Sequence, residues 1–492
     1  MKTVLVIGAG IGGLAIAARL ARLGHQVTLV EKNSAPGGRT FRLTRDGYSF
    51  DTGPTLFLMP AVFAETYAAL GERMGDHLQL TRIDPTYRVH FHDGSSIDLT
   101  SDMQHMREQL DGLEPGSFEA FLRFTAEGYR CYQASLKHFV GRNFTSILQY
   151  FSPKNLPLMF ELKALQKHYA NVSTYFRDPR LRAAFSFQNM YLGVSPFDAL
   201  ATYSLLQYTE MGEGVWYPHG GLYAVMTDLE ALAIKLGVAC RYQSPVARIN
   251  VAGARATGVT LENGEQLSAD IVIANADLPY VYEHLLPDGL PGRLATMKYT
   301  SSALMFYWGV TGPRRQELLH HNVFLADHQY RRSFDRIFRD HTLPDEPSFY
   351  IAAPARTDAS VAPQDGDSLL ALVPVGDIDE GHPQDWPALQ QRARDAVHAR
   401  LARLGLGDLR QRTLFEETLC PKDYRDQLNL VRGAAFGLSH NFTQVGYLRP
   451  HNRHARYGNL YFVGASTHPG TGLPMVLLSA RLVDERIRHE QI

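Results

Sequence analysis

Apolar and polar positions follow regular periods at three separated places along the chain. Val4–Ile7 is a short unbroken apolar run rich in β-branched residues, as expected of a strand covered on both faces of a parallel sheet. From Leu14 to Leu23 the positions Leu14, Ala17, Ala18, Leu20 and Ala21 form a helical stripe, with Arg19 and Arg22 outside it and Gly24 as a stop. Val27–Val30 reads as a second strand and completes one βαβ unit. After Gly220-Gly221 the pattern predicts a helix over Leu222–Leu236, strands over Ala247–Val251 and Ala256–Leu261 around a turn, and a buried strand at Ile271–Ala274. A last strand at Leu460–Val463 and a helix over Val476–Ile487 follow much later.

These pieces predict an α/β architecture: a Rossmann-like nucleotide-binding domain built from residues 1–84, 216–289 and 436–492. The two long insertions, 85–215 and 290–435, are expected to form an α+β substrate domain. Pro363–Asp385 reads as loops around one strand, and no repeat, heptad run or low-complexity tract interrupts the pattern.

Composition narrows the function. Of 492 residues, 45% are hydrophobic and 20% charged, which excludes a disordered chain. A net charge of -1 offers no global attraction to nucleic acid or anionic lipid, so no nucleic-acid partner is expected and any membrane attraction must be local. Cys131, Cys240 and Cys420 are few, odd in number and widely spaced, so a reducing compartment without disulfides is the default expectation. The uncharged run Val4–Ala18 is broken by Gly8, Gly10, Gly12 and Gly13 and falls short of the roughly 20 residues a bilayer span needs, so a cytoplasmic chain without a transmembrane anchor is expected.

The first turn, Gly8-Ala9-Gly10-Ile11-Gly12-Gly13, carries the glycine spacing of a dinucleotide site. Gly8 allows the tight turn, Gly10 lets backbone approach a pyrophosphate, Gly13 permits close packing of helix on strand, and the helix N-terminus attracts phosphate. Glu31 ends the second strand, 23 residues after Gly8, where a carboxylate accepts hydrogen bonds from an adenosine ribose. That motif does not separate NAD from FAD. Further on, Pro36-Gly37-Gly38-Arg39 offers a second close backbone approach and an arginine suited to phosphate or to domain anchoring.

At this doublet the chain resembles the superfamily of flavin-containing amine oxidases and carotenoid desaturases. The resemblance implies non-covalent FAD, with Gly53-Pro54-Thr55 running along the flavin side and the backbone of Val246 touching the adenine. The stretch Asn459–Leu473, which includes Gly464, Ala465 and His468, followed by Met475 and Ser479, resembles the C-terminal signature of bacterial-type phytoene desaturases. Gly214–Gly221, Ala353–Asp358 and Arg449–Arg453 also look like landmarks of that family, which acts on phytoene or on the shorter 4,4′-diapophytoene. Met190–Gly193 and Met475–Leu478 are slightly nearer the C30 enzymes. The implied reaction removes two hydrogens from adjacent carbons, one as hydride to FAD and one as a proton, with oxygen or a quinone as final electron acceptor.

His468 is the candidate proton acceptor, since it lies in the loop expected to face the flavin; Arg142, Asp198 and Glu210 are further polar candidates, and His219 reads as a turn residue. The pairs His90/His92 and His320/His321 lack further ligands, so no metal is expected. Phe139–His168 mixes aromatic and aliphatic residues with Lys137, Arg142, Lys154, Lys163 and Lys167, and Pro153 and Pro157 should interrupt a helix there; it reads as an interfacial, membrane-facing region or as a packed helical pair. A peripheral membrane enzyme collecting a long isoprenoid hydrocarbon is therefore the leading expectation. The alternatives are a related amine oxidase, saturase or carotenoid oxygenase, or an escort-type carrier that keeps the fold without catalysis.

Overall fold

A computed structural model describes residues 1–326 and 329–490. Its first layer is a five-stranded parallel sheet in the order Leu460–Phe462, Ile271–Ala274, Thr3–Ile7, Gln26–Val30, Ala239–Arg241. Val4 faces Ile271 and Val272 faces Leu460, so strands far apart in sequence become neighbours. Val272, Ile273 and Val6 are fully buried, which explains why the strands are continuous apolar runs rather than alternating ones. Helix Ile11–Arg22 packs against helices Tyr223–Lys235 and Leu473–His489. It starts three residues earlier than its apolar stripe suggests. The first N–H groups of a helix have no intrahelical partner, so Gly12 and Gly13 cost little there and remain inside the first turn.

The second layer is a seven-stranded sheet in the order Thr413–Leu419, Ser302–Thr311, Gly366–Val375, Phe349–Ala352, His321–Phe324, Tyr87–His90, Ser96–Leu99. Every pair is antiparallel except His321–Phe324 against Tyr87–His90. Ser302–Thr311 pairs with Gly366–Val375 over its whole length, so the one strand expected within Pro363–Asp385 is present and is a long interior one. Period two separates its faces. Leu304, Phe306 and Trp308 pack with Leu389, Ala393, Val397 and Leu401 of helix Trp386–Ala402. Ala303, Met305 and Tyr307 point the other way, toward Tyr48 and Phe50.

A helical layer lies beside both sheets, with Ser117–Ser135 packed on Leu205–Tyr208. The segment that follows it holds only short helices, Ile147–Tyr150 and Asn155–Glu161. Pro153 lies between them as expected, but Pro157 sits in the first turn of the second, where its missing N–H is not needed. Among the described residues no helix is long and apolar enough to cross a membrane.

Candidate functional site

One cavity of about 770 Å³ runs from the first βαβ turn to the inner face of the large sheet. Its polar end is lined by Gly8, Gly10, Gly12, Glu31, Gly37, Gly38, Arg39, Pro54, Thr55, Val246, Gly464, Ala465 and Met475. Residues chosen from five separate stretches of sequence thus meet on one surface. Gly13 does not line it. A Cβ there would lie 1.9 Å from the Gly8 carbonyl oxygen, so its role is to let helix and strand touch.

The turn is held by Glu31. Its Oε2 accepts a 2.8 Å bond from the Ala9 N–H and its Oε1 a 2.9 Å bond from the Asn33 N–H. Gly10 caps the helix with no side-chain hydrogen bond, leaving the helix N-terminus to the cavity. Gly37 and Gly38, at φ of +121° and +57°, fold the second glycine pair back on the first, and Gly37 donates to the Ala9 carbonyl at 2.9 Å. A side chain at Gly12 would strike Asn275, Val463 and Val476, so the wall is backbone by necessity. Arg39 reaches the Ala435 carbonyl at 3.2 Å rather than solvent.

Across the cavity, Asp277 is buried with Oδ1 accepting from Ser466 at 2.5 Å, while its Oδ2 and the Ser301 hydroxyl make no hydrogen bond. Burial pushes the Asp277 carboxyl upward, against the nearby Arg39 and Arg449. The C-terminal loop is braced from behind by Arg449, which is wholly buried and donates to the carbonyls of Leu438, Ser439, Gln444, Ala465 and Thr467. Sequence reading noted Arg449 only as a landmark. Asn275 and Asp277 escaped notice, although polar residues directly after a buried parallel strand are the usual signal of a site.

His468 lines the cavity, but its Nε2–H donates to the Arg142 carbonyl at 3.1 Å and burial lowers its pKa to about 4. Burial thus favours its neutral form, and its Nδ1 has no hydrogen-bond partner. Asp198 is exposed beside Lys167, outside the cavity, and His219 bonds Thr81 in an exposed turn. Glu210 is fully buried just behind the wall.

Beyond the polar end the lining is apolar and aromatic, with Phe139, Met159, Phe187, Met305, Phe334 and Leu372 among its residues. The Rossmann-type turn therefore opens into a large, mostly apolar chamber. Residues 11–487 match the family model described as flavin containing amine oxidoreductase.

The chain belongs to that family.

Within it, the chain is 49% identical to the zeta-carotene-forming phytoene desaturase of Myxococcus xanthus, over 99% of this chain and 94% of that one. It is 34% identical to the 4,4′-diapophytoene desaturase (4,4′-diaponeurosporene-forming) of Staphylococcus haemolyticus, over 98% of both. Among solved structures, putrescine oxidase bound to putrescine superposes with a TM-score of 0.66 at 15% identity, covering 99% of each chain, which shows the fold. The family expected from the terminal motif is the one found, and FAD is the cofactor of this flavin oxidoreductase.

Proposed function

We propose that the protein is an FAD-dependent carotenoid desaturase that acts on phytoene at a membrane surface. The observation that carries the reading is one continuous cavity, glycine-lined at one end and apolar along the rest. A hydrocarbon of tens of carbons has no group to grip, and apolar burial worth about 0.8 kcal/mol per CH₂ is enough to hold it.

In this reading Gly8, Gly10, Gly12 and the helix N-terminus receive the pyrophosphate, Glu31 the ribose, and Val246 the adenine. Gly37, Gly38, Arg39, Pro54, Thr55, Gly464, Ala465 and Met475 form the rest of the cofactor wall. FAD supplies a two-electron acceptor for hydride. The protein positions the polyene, excludes water and removes the accompanying proton. His468, tied to the Arg142 carbonyl and held neutral, orients the loop. Phytoene is favoured over the C30 substrate by the higher identity to the phytoene desaturase.

Membrane docking is supported by residues 139–165. Leu148, Phe160 and Leu165 are 79, 77 and 75% exposed. From the same segment Phe139, Val140, Tyr150, Met159 and Leu162 line the cavity, so one strap faces both outside and in. Exposed apolar side chains beside Lys154 suit a cytoplasmic-leaflet headgroup region. Oxygen or a membrane quinone would reoxidise the flavin.

The test is purified FAD-loaded protein in liposomes with phytoene or with 4,4′-diapophytoene, plus quinone, followed by visible absorbance. New multi-peaked bands from phytoene are expected. Bands from 4,4′-diapophytoene alone would reassign the substrate, and no bands from either, with flavin bound, would overturn the desaturase reading.

A further inference from the structure

Behind the apolar wall, a directed chain of hydrogen bonds leads from the cavity into the protein. Tyr191 lines the cavity. Its hydroxyl donates to the Tyr87 oxygen at 2.7 Å, and the Tyr87 hydroxyl donates to Glu210 Oε1 at 3.2 Å. Glu210 Oε2 accepts from Gln188 Nε2 at 3.2 Å, and Gln188 also donates to Gln207 Oε1 at 3.0 Å. A parallel branch starts at Thr55, also on the cavity wall, whose Oγ1 accepts from Tyr350 at 2.9 Å. His321 Nδ1 lies 2.6 Å from that Tyr350 oxygen and donates to it, while its Nε2 has no partner. The His321 ring lies 5.6 Å from the Tyr87 ring, so the branches meet.

Burying an ionised group is costly unless it is both paired and hydrogen-bonded, and Glu210 is 1% exposed, hydrogen-bonded by Tyr87 and Gln188 but with no cation beside it. The titratable groups around it are Tyr87, Tyr191, Tyr350 and His321, with His320 behind His321. None carries a positive charge near neutrality, because burial holds His320 at about 3 and His321 well below its ordinary value. Burial therefore pushes Glu210 up to about 8. A structural carboxylate would be expected to have an arginine partner, as Asp367 has in Arg356.

We propose that Tyr191, Tyr87 and Glu210 form the proton exit of the desaturation reaction, with Tyr191 the residue that meets the substrate. The proposal rests on the desaturase reading above. The substrate carbon that loses a proton keeps the C–H electron pair, which becomes the new π bond to the neighbouring carbon as that carbon gives up hydride to the flavin. The proton goes to the Tyr191 oxygen while the Tyr191 proton passes to Tyr87 and the Tyr87 proton to the Glu210 carboxylate. Both tyrosines end neutral, and one proton is stored on Glu210 for later release. Tyr87 and Glu210 act through Tyr191 and are positioning residues.

Tyr191→Phe and Glu210→Gln keep size and remove one link each. Wild-type kcat/KM should rise with pH about an apparent pKa near 8, as the carboxylate becomes free to accept. Each variant should lose roughly 10²–10⁴-fold in activity, the range of general base catalysis, and Glu210→Gln should lose the pH step. Retained flavin absorbance shows that the variants fold. A readout independent of turnover is the infrared carboxylic-acid band of the flavin-loaded protein, taken as wild type minus Glu210→Gln and expected to titrate near pH 8. An active wild-type enzyme whose variants keep its rate and pH profile overturns the proton exit alone, as does a Glu210 carboxyl that ionises below pH 6. A flavin-bound wild-type protein that makes no conjugated product overturns the desaturase reading and the exit with it.

Discussion

At the scale of single residues, the glycines divide into those that face the cavity and those that hold elements together. An alanine at Gly13 would put its Cβ 1.9 Å from the Gly8 carbonyl oxygen, so Gly13→Ala should destabilise by about 1–3 kcal/mol or more and lose flavin. Gly112 is the contrast. It lies exposed within helix Met103–Leu113 with nothing within 4 Å, and Gly112→Ala should stabilise by about 1 kcal/mol. Urea midpoints of the two variants check both signs. Arg449→Met strips five carbonyls of their donor at once, that of the cavity-lining Ala465 among them, and flavin retention should fall. The glycine turn and Glu31 were legible because their geometry is local. Tyr87, Tyr191 and Glu210 were not legible as a unit, since 104 positions separate the first two and 123 separate Tyr87 from Glu210.

Elements show the same division. Strand and helix periods located the first βαβ unit, but no period announces that Tyr87–His90 joins His321–Phe324, because pairing partners are chosen in space. The strap over residues 139–165 is the element whose function is read from exposure rather than fold. Leu148→Glu and Phe160→Glu change side chains that touch little, so thermal stability should hold within about 0.5 kcal/mol. Liposome co-sedimentation should drop by roughly 10-fold or more for each, given about 1.5–3 kcal/mol for burying such a side chain. Unchanged sedimentation would exclude this segment as the docking surface.

For the whole molecule, buried neutral histidines set the response to acid. Burial lowers His90, His168 and His468 to about 4, His320 to about 3, and His321 and His440 well below the usual 6.5. Between those values and 6.5 the unfolded chain binds protons that the folded one refuses, so stability rises with pH across this window and is lost as pH falls. Each such histidine is worth about 2 kcal/mol at pH 5, at 1.36 kcal/mol per pH unit. Glu210 runs the other way, being protonated in the fold up to about 8, and burial raises Asp51, Glu213, Asp277, Asp367 and Asp484 in the same sense, while the six buried histidines set the opposite and dominant trend. The urea midpoint should therefore fall between pH 7 and pH 5; a midpoint that rises would mean these rings are not buried neutral.

The order of strands in the parallel sheet also dictates when in the life of the chain a cofactor can be taken up. Thr3–Ile7 is made well before its neighbour Ile271–Ala274, and the strand beyond that, Leu460–Phe462, is made later still. Until then Val4 and Val6 have no partner on one side, and Gly464 and Ala465 do not exist to close the cavity. The cavity wall is thus incomplete until Gly464 and Ala465 have been made, which places flavin loading after that point in the chain. Chains halted before Leu460 should bind no flavin and depend on chaperones, whereas chains released in full should acquire both colour and solubility together.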